Sequence, residues 1–157
     1  MSQWAHFGID PAIGWDKTLR IARVLLDKLR PHINYAWIDA LTDHTHLSSE
    51  AQAAVQQLRR LDERRWAQQR RPLWGSRRKG PTYKGIDLNP RDPDQFALLR
   101  TFGPYSIHAE VYRANEKEPV LVLHDTGTSI HFRWKPEQLS ELAAEARVSP
   151  SAFHPIT

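Results

Sequence analysis

Residues 106–134 read SIHAEVYRANEKEPVLVLHDTGTSIHFRW, and three runs inside that stretch alternate apolar with polar side chains at the two-residue period of a half-buried strand. The runs are Ser106 to Arg113, Val120 to His124 and Ser129 to Trp134. They are joined by Ala114-Asn115-Glu116-Lys117 and by a tight turn around Thr126-Gly127, so three antiparallel strands are expected. With Thr126 and Gly127 as the two central turn residues, Asp125 faces Thr128, His124 faces Ser129 and Val122 faces His131. Leu121, Leu123, Ile130, Phe132 and Trp134 then share a core face with Ile107, Ala109 and Val111. The opposite face receives His108, Glu110 and Tyr112, then Val120, Val122 and His124, then His131 and Arg133.

That second face has two readings. Polar residues alternate outward on any half-exposed sheet, and Val120, Val122 and Tyr112 among them suggest packing against helices. Alternatively, His108, Glu110, His124 and His131 make a metal-dependent or acid–base hydrolase site in which Arg133 steadies an anion. Neutral imidazoles bind metals and titrate near neutrality, which is why three of them beside a carboxylate draw notice.

Downstream, Pro136 suits a first helical turn, and Leu139, Leu142, Ala143 and Ala146 line one side of a helix that covers the sheet. The tail from Ser149 to Thr157 reads as irregular. Upstream, a helix is expected from about Lys17 to Arg30, capped by Asp16, stopped by Pro31 and burying Ala22, Leu25, Leu26 and Leu29. Ile33 to Ile38 fits either a strand presenting Ile33, Tyr35 and Trp37 or the start of another helix, and helix or irregular structure is the preferred reading because Asp39-Ala40-Leu41 continues it without strand-forming residues. A second helix starts at Ser49, with Gln52 at capping-box spacing, and ends near Arg71-Pro72. From Pro72 to Asp94 four prolines and three glycines leave no room for a regular element, so a linker or binding loop is expected. Phe96 to Arg100 fits a strand or a short helix. The expected fold is a single α+β domain over 1–157: helices over about 1–71, a long Pro/Gly/Arg-rich loop over about 72–94, then an antiparallel sheet of three or more strands with a packed C-terminal helix over about 95–157.

Charge is distributed unevenly along this plan. Of the 22 Lys and Arg residues, ten fall between Arg59 and Lys84, where only Asp62 and Glu63 are acidic, a local balance of +8; the rest of the chain carries 12 basic and 16 acidic residues, or −4. Arg70, Arg71, Arg77, Arg78, Lys79 and Lys84 supply guanidinium forks and ammoniums for phosphate, while Trp74 and Tyr83 supply rings on which unpaired bases stack. The chain shows no helix-turn-helix, RRM or KH pattern, which argues against readout of a defined base sequence. Trp, Tyr and Arg are also the usual anchors of protein interfaces, so an acidic protein surface is the alternative partner, as for an inhibitor or immunity-like neutraliser.

The absence of cysteine excludes disulfides, thiol nucleophiles and Cys-ligated metals. Asp43-His44-Thr45-His46 holds a His-x-His pair, and His44 and His46 are candidate metal ligands if that segment is extended; a polar loop and helix cap is the competing reading. No His-Glu-x-x-His, phosphate-binding glycine loop, Gly-x-Ser-x-Gly or EF-hand pattern is present, and no cofactor is expected. Neither a secretory leader nor an apolar run of spanning length is evident, so a cytoplasmic location is expected. Together these features point to a small non-enzymatic binding protein whose basic, aromatic loop engages nucleic acid.

Overall fold

The computed structural model describes residues 3–69 and 80–157. Among them the chain forms β1 (Ala5–Ile9), α1 (Trp15–Leu29), β2 (Ile33–Ile38), α2 (Ser49–Gln68), β3 (Ile86–Leu88), α3 (Pro93–Phe102), β4 (His108–Arg113), β5 (Leu121–His124), β6 (Ser129–Trp134), α4 (Leu139–Ala146) and β7 (Phe153–Pro155). The strands make one sheet in the order β3-β2-β4-β5-β6-β1-β7, with antiparallel pairing throughout. The protein is thus mixed α+β, and none of its described helices is long and apolar enough to cross a membrane.

The centre of the sheet matches the alternation of residues 106–134. Val122 pairs with His131 and His124 with Ser129, while His108 pairs with His124 and Glu110 with Val122. Asp125–Gly127 forms a tight turn in which Asp125, Thr126 and Gly127 all have positive φ, closed by the Thr128 N–H donating to the Asp125 carbonyl at 3.2 Å. Gly127 is required there for two reasons: its φ is +84°, and a Cβ would stand 2.5 Å from Trp15 and 2.8 Å from the Pro104 carbonyl oxygen.

The N-terminal part departs from the expectation of helices alone. β1 pairs with β6, and β2 pairs with β4, so the first 38 residues supply strands to both sides of the C-terminal meander. Ile33–Ile38 is a strand, against the helical or irregular reading, and an irregularity between Ile33 and Tyr35 explains why its period was hard to see. With the register shifted there, Ile33, Ala36 and Ile38 are buried while Tyr35 and Trp37 lie on the other face. Two further strands are short and terminal in the sheet: Ile86–Leu88, within the span expected to hold no regular element, and Phe153–Pro155, within the tail expected to be irregular. Each owes its place to buried apolar side chains, Ile86 and Leu88 in one and Phe153 in the other.

The helices start where local chemistry dictates. Gly14 precedes α1, with Asp16 inside its first turn rather than at the cap. Ser48, one residue before the expected position, caps α2 by accepting the Ala51 N–H, and the Gln52 side chain donates to the Leu47 carbonyl. Asp92 caps α3, with Pro93 in the first turn, so Phe96 to Arg100 is helical. Leu25, Leu26 and Leu29 of α1, Leu58 of α2, Leu99 and Phe102 of α3 and Leu142 of α4 join one alternate set of strand residues in a single core.

Candidate binding face of the sheet

The other alternate set of strand residues points away from that core. One transverse row crosses all seven strands in register: Asp87, Trp37, Glu110, Val122, His131, Gly8 and His154. His108, His124 and Ser129 flank it on one side; Tyr35 with Tyr112, and His6 with Arg133, flank it on the other. Val120, expected on this face, is buried at 1% exposure.

Over β2, β4 and β5 the face is paved with rings. Trp37 stacks on His108 with centroids 4.7 Å apart and planes 20° apart, and His108 meets His124 edge-on at 4.7 Å. Tyr35 lies 5.5 Å from Tyr112 and is 40% exposed. Carboxylates hold these rings in place. Glu110 accepts the His108 Nε2–H at 3.0 Å through one oxygen and the Tyr112 hydroxyl through the other. Asp87 accepts the Tyr35 hydroxyl at 2.6 Å, and Asp125 pairs with His124 Nδ1 at 2.9 Å. Burial, aided by the bond to Asp87, pushes the Tyr35 phenol up to about 12; burial and then Glu110 raise that of Tyr112. Both phenols therefore stay neutral donors at physiological pH.

Beyond Val122 the rings give way to His6, His131 and Arg133, with Glu118 beside them. A cavity of about 330 Å³ is lined by His6, Glu118, Pro119, Val122, His131 and Arg133. Arg133 is held by Glu116 at 2.9 Å, and His131 Nε2 lies 3.3 Å from the Ser129 hydroxyl. Gly8 leaves room beside it for the His154 imidazole, whose Nε2 would stand 2.8 Å from a Cβ.

The structure thus brings His108 into contact with both Glu110 and His124 and puts His131 on the same face across Val122. His44 and His46 are not joined to them. His44 lies against Trp15 and Tyr105, with Nε2 3.0 Å from the Thr126 carbonyl oxygen, and His46 is exposed. Among the described residues no group of three His, Asp or Glu side chains is placed to hold a metal ion.

Of the basic-segment candidates, Arg70, Arg71, Trp74, Arg77, Arg78 and Lys79 lie outside the described residues. Tyr83 is partly buried against α2: its hydroxyl donates to Glu63 at 2.8 Å, its N–H donates to Asp62 at 3.0 Å, and Arg59 lies over its ring at 5.3 Å. Lys84 is exposed. Gln69, before the segment, and Pro81, after it, line one cavity of about 170 Å³ together with Lys84 and Asp87. Both described ends of the basic segment therefore come to the β3 edge of the ring-paved face.

Sequence reasoning missed Tyr35, Trp37, His6 and Asp87, because their strands were not recognised. The signals were present but short: Tyr35-Ala36-Trp37-Ile38 alternates after the irregularity, and His6-Phe7-Gly8-Ile9 alternates before the first turn. Comparison with protein-family models, curated proteins and solved structures finds no match to the chain.

Proposed function

We propose that this chain is a small binding protein that holds single-stranded nucleic acid across the open face of its sheet, with the basic segment contributing phosphate contacts at the β3 edge. The carrying observation is the side-by-side placement of a ring array, Tyr35 with Tyr112 and Trp37 with His108 and His124, and a cavity containing His6, His131 and Arg133. Bases stack on exposed rings irrespective of sequence, and phosphates pair with cations a short step away. A duplex hides its base faces, so single strands are favoured.

Fluorescence-anisotropy titration of mixed-sequence single strands and duplexes, over a range of salt concentrations, tests this reading. Single strands are expected to bind with salt-sensitive affinity, and binding is expected to weaken both in Trp37→Ala and in the combined Arg77→Ser, Arg78→Ser, Lys79→Ser variant. Absence of binding at low salt, with a stoichiometric protein still recovered from nuclease-treated lysate, would shift the reading to an acidic protein partner.

A second reading is favoured by one specific arrangement. His108 and His124 are in edge-on contact, and each is bonded through one nitrogen to its own carboxylate, which leaves the other nitrogen of each ring available. Two oriented imidazoles can act as general base and general acid on a phosphodiester laid over the face. Under this reading labelled RNA is cut in the presence of chelator, and His108→Asn and His124→Asn each abolish cutting; intact RNA after prolonged incubation would discard it.

A further inference from the structure

A second cavity, of about 350 Å³, opens on the helix side of the sheet and shares no lining residue with the open-face cavity. It lies where the last residues of β4 and β6 meet the end of α1 and the start of α4, and its size falls at the lower end of small-molecule sites. We propose that it binds a small aromatic anion, a single planar ring carrying a phosphate or carboxylate group.

The ring requirement comes from the walls. Trp4 and Trp134 both line the cavity and meet edge-to-face, with centroids 6.2 Å apart and planes 85° apart, which presents two differently oriented apolar surfaces. The anion requirement comes from the charges. Lys28, Arg113 and Lys135 line the space with the carboxylate of Glu141, and Glu145 and Glu116 pair with Lys28 and Arg113 from outside the lining, so the charge left to a ligand is that of Lys135. Lys28 is committed, with Glu145 at 2.6 Å and Glu141 at 3.2 Å. Arg113 is held less closely, 3.6 Å from Glu116, and its guanidinium lies 4.5 Å from the Trp4 ring centroid. Lys135 has no carboxylate within ion-pair distance among the described residues, and its ammonium is 6.0 Å from the same ring. A ligand oxygen that reached Lys135 and Arg113 would gain a charge-assisted contact without breaking a short ion pair, and a ring attached to it would lie against the indole walls. A cation would meet the Lys135 ammonium and find the lining carboxylate, Glu141, already paired with Lys28, and a long acyl chain would not fit the volume.

The protein's own indoles report the test. Phenyl phosphate, benzoate, inorganic phosphate and benzylamine are titrated into the full chain while the indole N–H resonances are followed. Phenyl phosphate or benzoate is expected to shift Trp4 and Trp134 saturably, and the stronger of the two names the preferred head group. Lys135→Gln and Arg113→Gln should each weaken that binding by about tenfold or more, with an unchanged thermal unfolding midpoint as the check on folding. Inorganic phosphate and benzylamine are expected to bind at least about tenfold more weakly. The proposal is overturned if neither aromatic anion shifts Trp4 and Trp134, if benzylamine binds as well, if affinity is unaltered in both variants, or if the shifts fall on Trp37 alone.

Discussion

The two faces of the sheet are built from the same strands and differ in what their residues have to satisfy. On β6, Ile130, Phe132 and Trp134 are buried in the core at 1%, 2% and 7% exposure, while their neighbours His131 and Arg133 stand on the face turned away from it, exposed and half-buried. The core face is held by the removal of apolar area from water, a force with little directional demand. On the open face carboxylates fix rings one at a time: Glu110 serves His108 and Tyr112, and Asp87 serves Tyr35. One face therefore sets stability and the other sets geometry at little cost to stability. Substitutions on the two sides are expected to part cleanly in unfolding and binding measurements.

The sharpest contrast lies within one strand. Phe132→Ala is expected to lower unfolding free energy by about 3 to 5 kcal/mol, while His131→Ala stays within about 0.5 kcal/mol, both read from urea midpoints. Equal losses would mean that the open face is covered after all. Next in size is Gly127→Ala at the turn beneath His124, where left-handed backbone and a clash with Trp15 and Pro104 should together cost about 2 to 4 kcal/mol. On the open face, Trp37→Ala should leave the unfolding midpoint nearly unchanged yet remove about 1 to 3 kcal/mol of single-strand binding, measured by anisotropy. A large stability loss there would make Trp37 a packing residue.

The smallest effect is on proton binding. Tyr35 keeps its proton up to about 12 in the folded chain, against an ordinary phenol value of 10, because it is partly buried and bonded to Asp87. Phenolate absorbance should therefore rise late during alkaline titration of the folded protein. Asp87→Asn should bring Tyr35 part of the way back toward 10, since burial, the larger cause, remains. A titration curve unmoved by that substitution would show that Asp87 does not hold the ring.

How far all this could be read in advance varied with strand length and regularity. Residues 106–134 announce their own register because several full alternations flank a turn that needs Gly127, and that register alone put His108, Glu110, His124 and His131 on one face. β2 hid because its irregularity puts Ile33 in the core and Tyr35 outside it, breaking the parity on which the reading depends. β3 and β7 have three residues each, too few for a period to show, and β7 ends in Pro155, which lacks a ladder N–H. The aromatic half of the candidate site went with β2, since Tyr35 and Trp37 acquire their meaning only beside Tyr112 and His108. The basic segment was conspicuous by composition, whereas the cavity beside His131 needed the pairing of His6 with Arg133, residues 127 positions apart.

That same pairing governs how the chain reaches its fold. Ala5 finds its place opposite Trp134, so β1 has no partner toward the centre of the sheet until β6 has been made. β2 waits in the same way for β4, while β4, β5 and β6 need only one another. The meander can pair without β1 or β2, whereas each of those two strands reaches the centre of the sheet only through it.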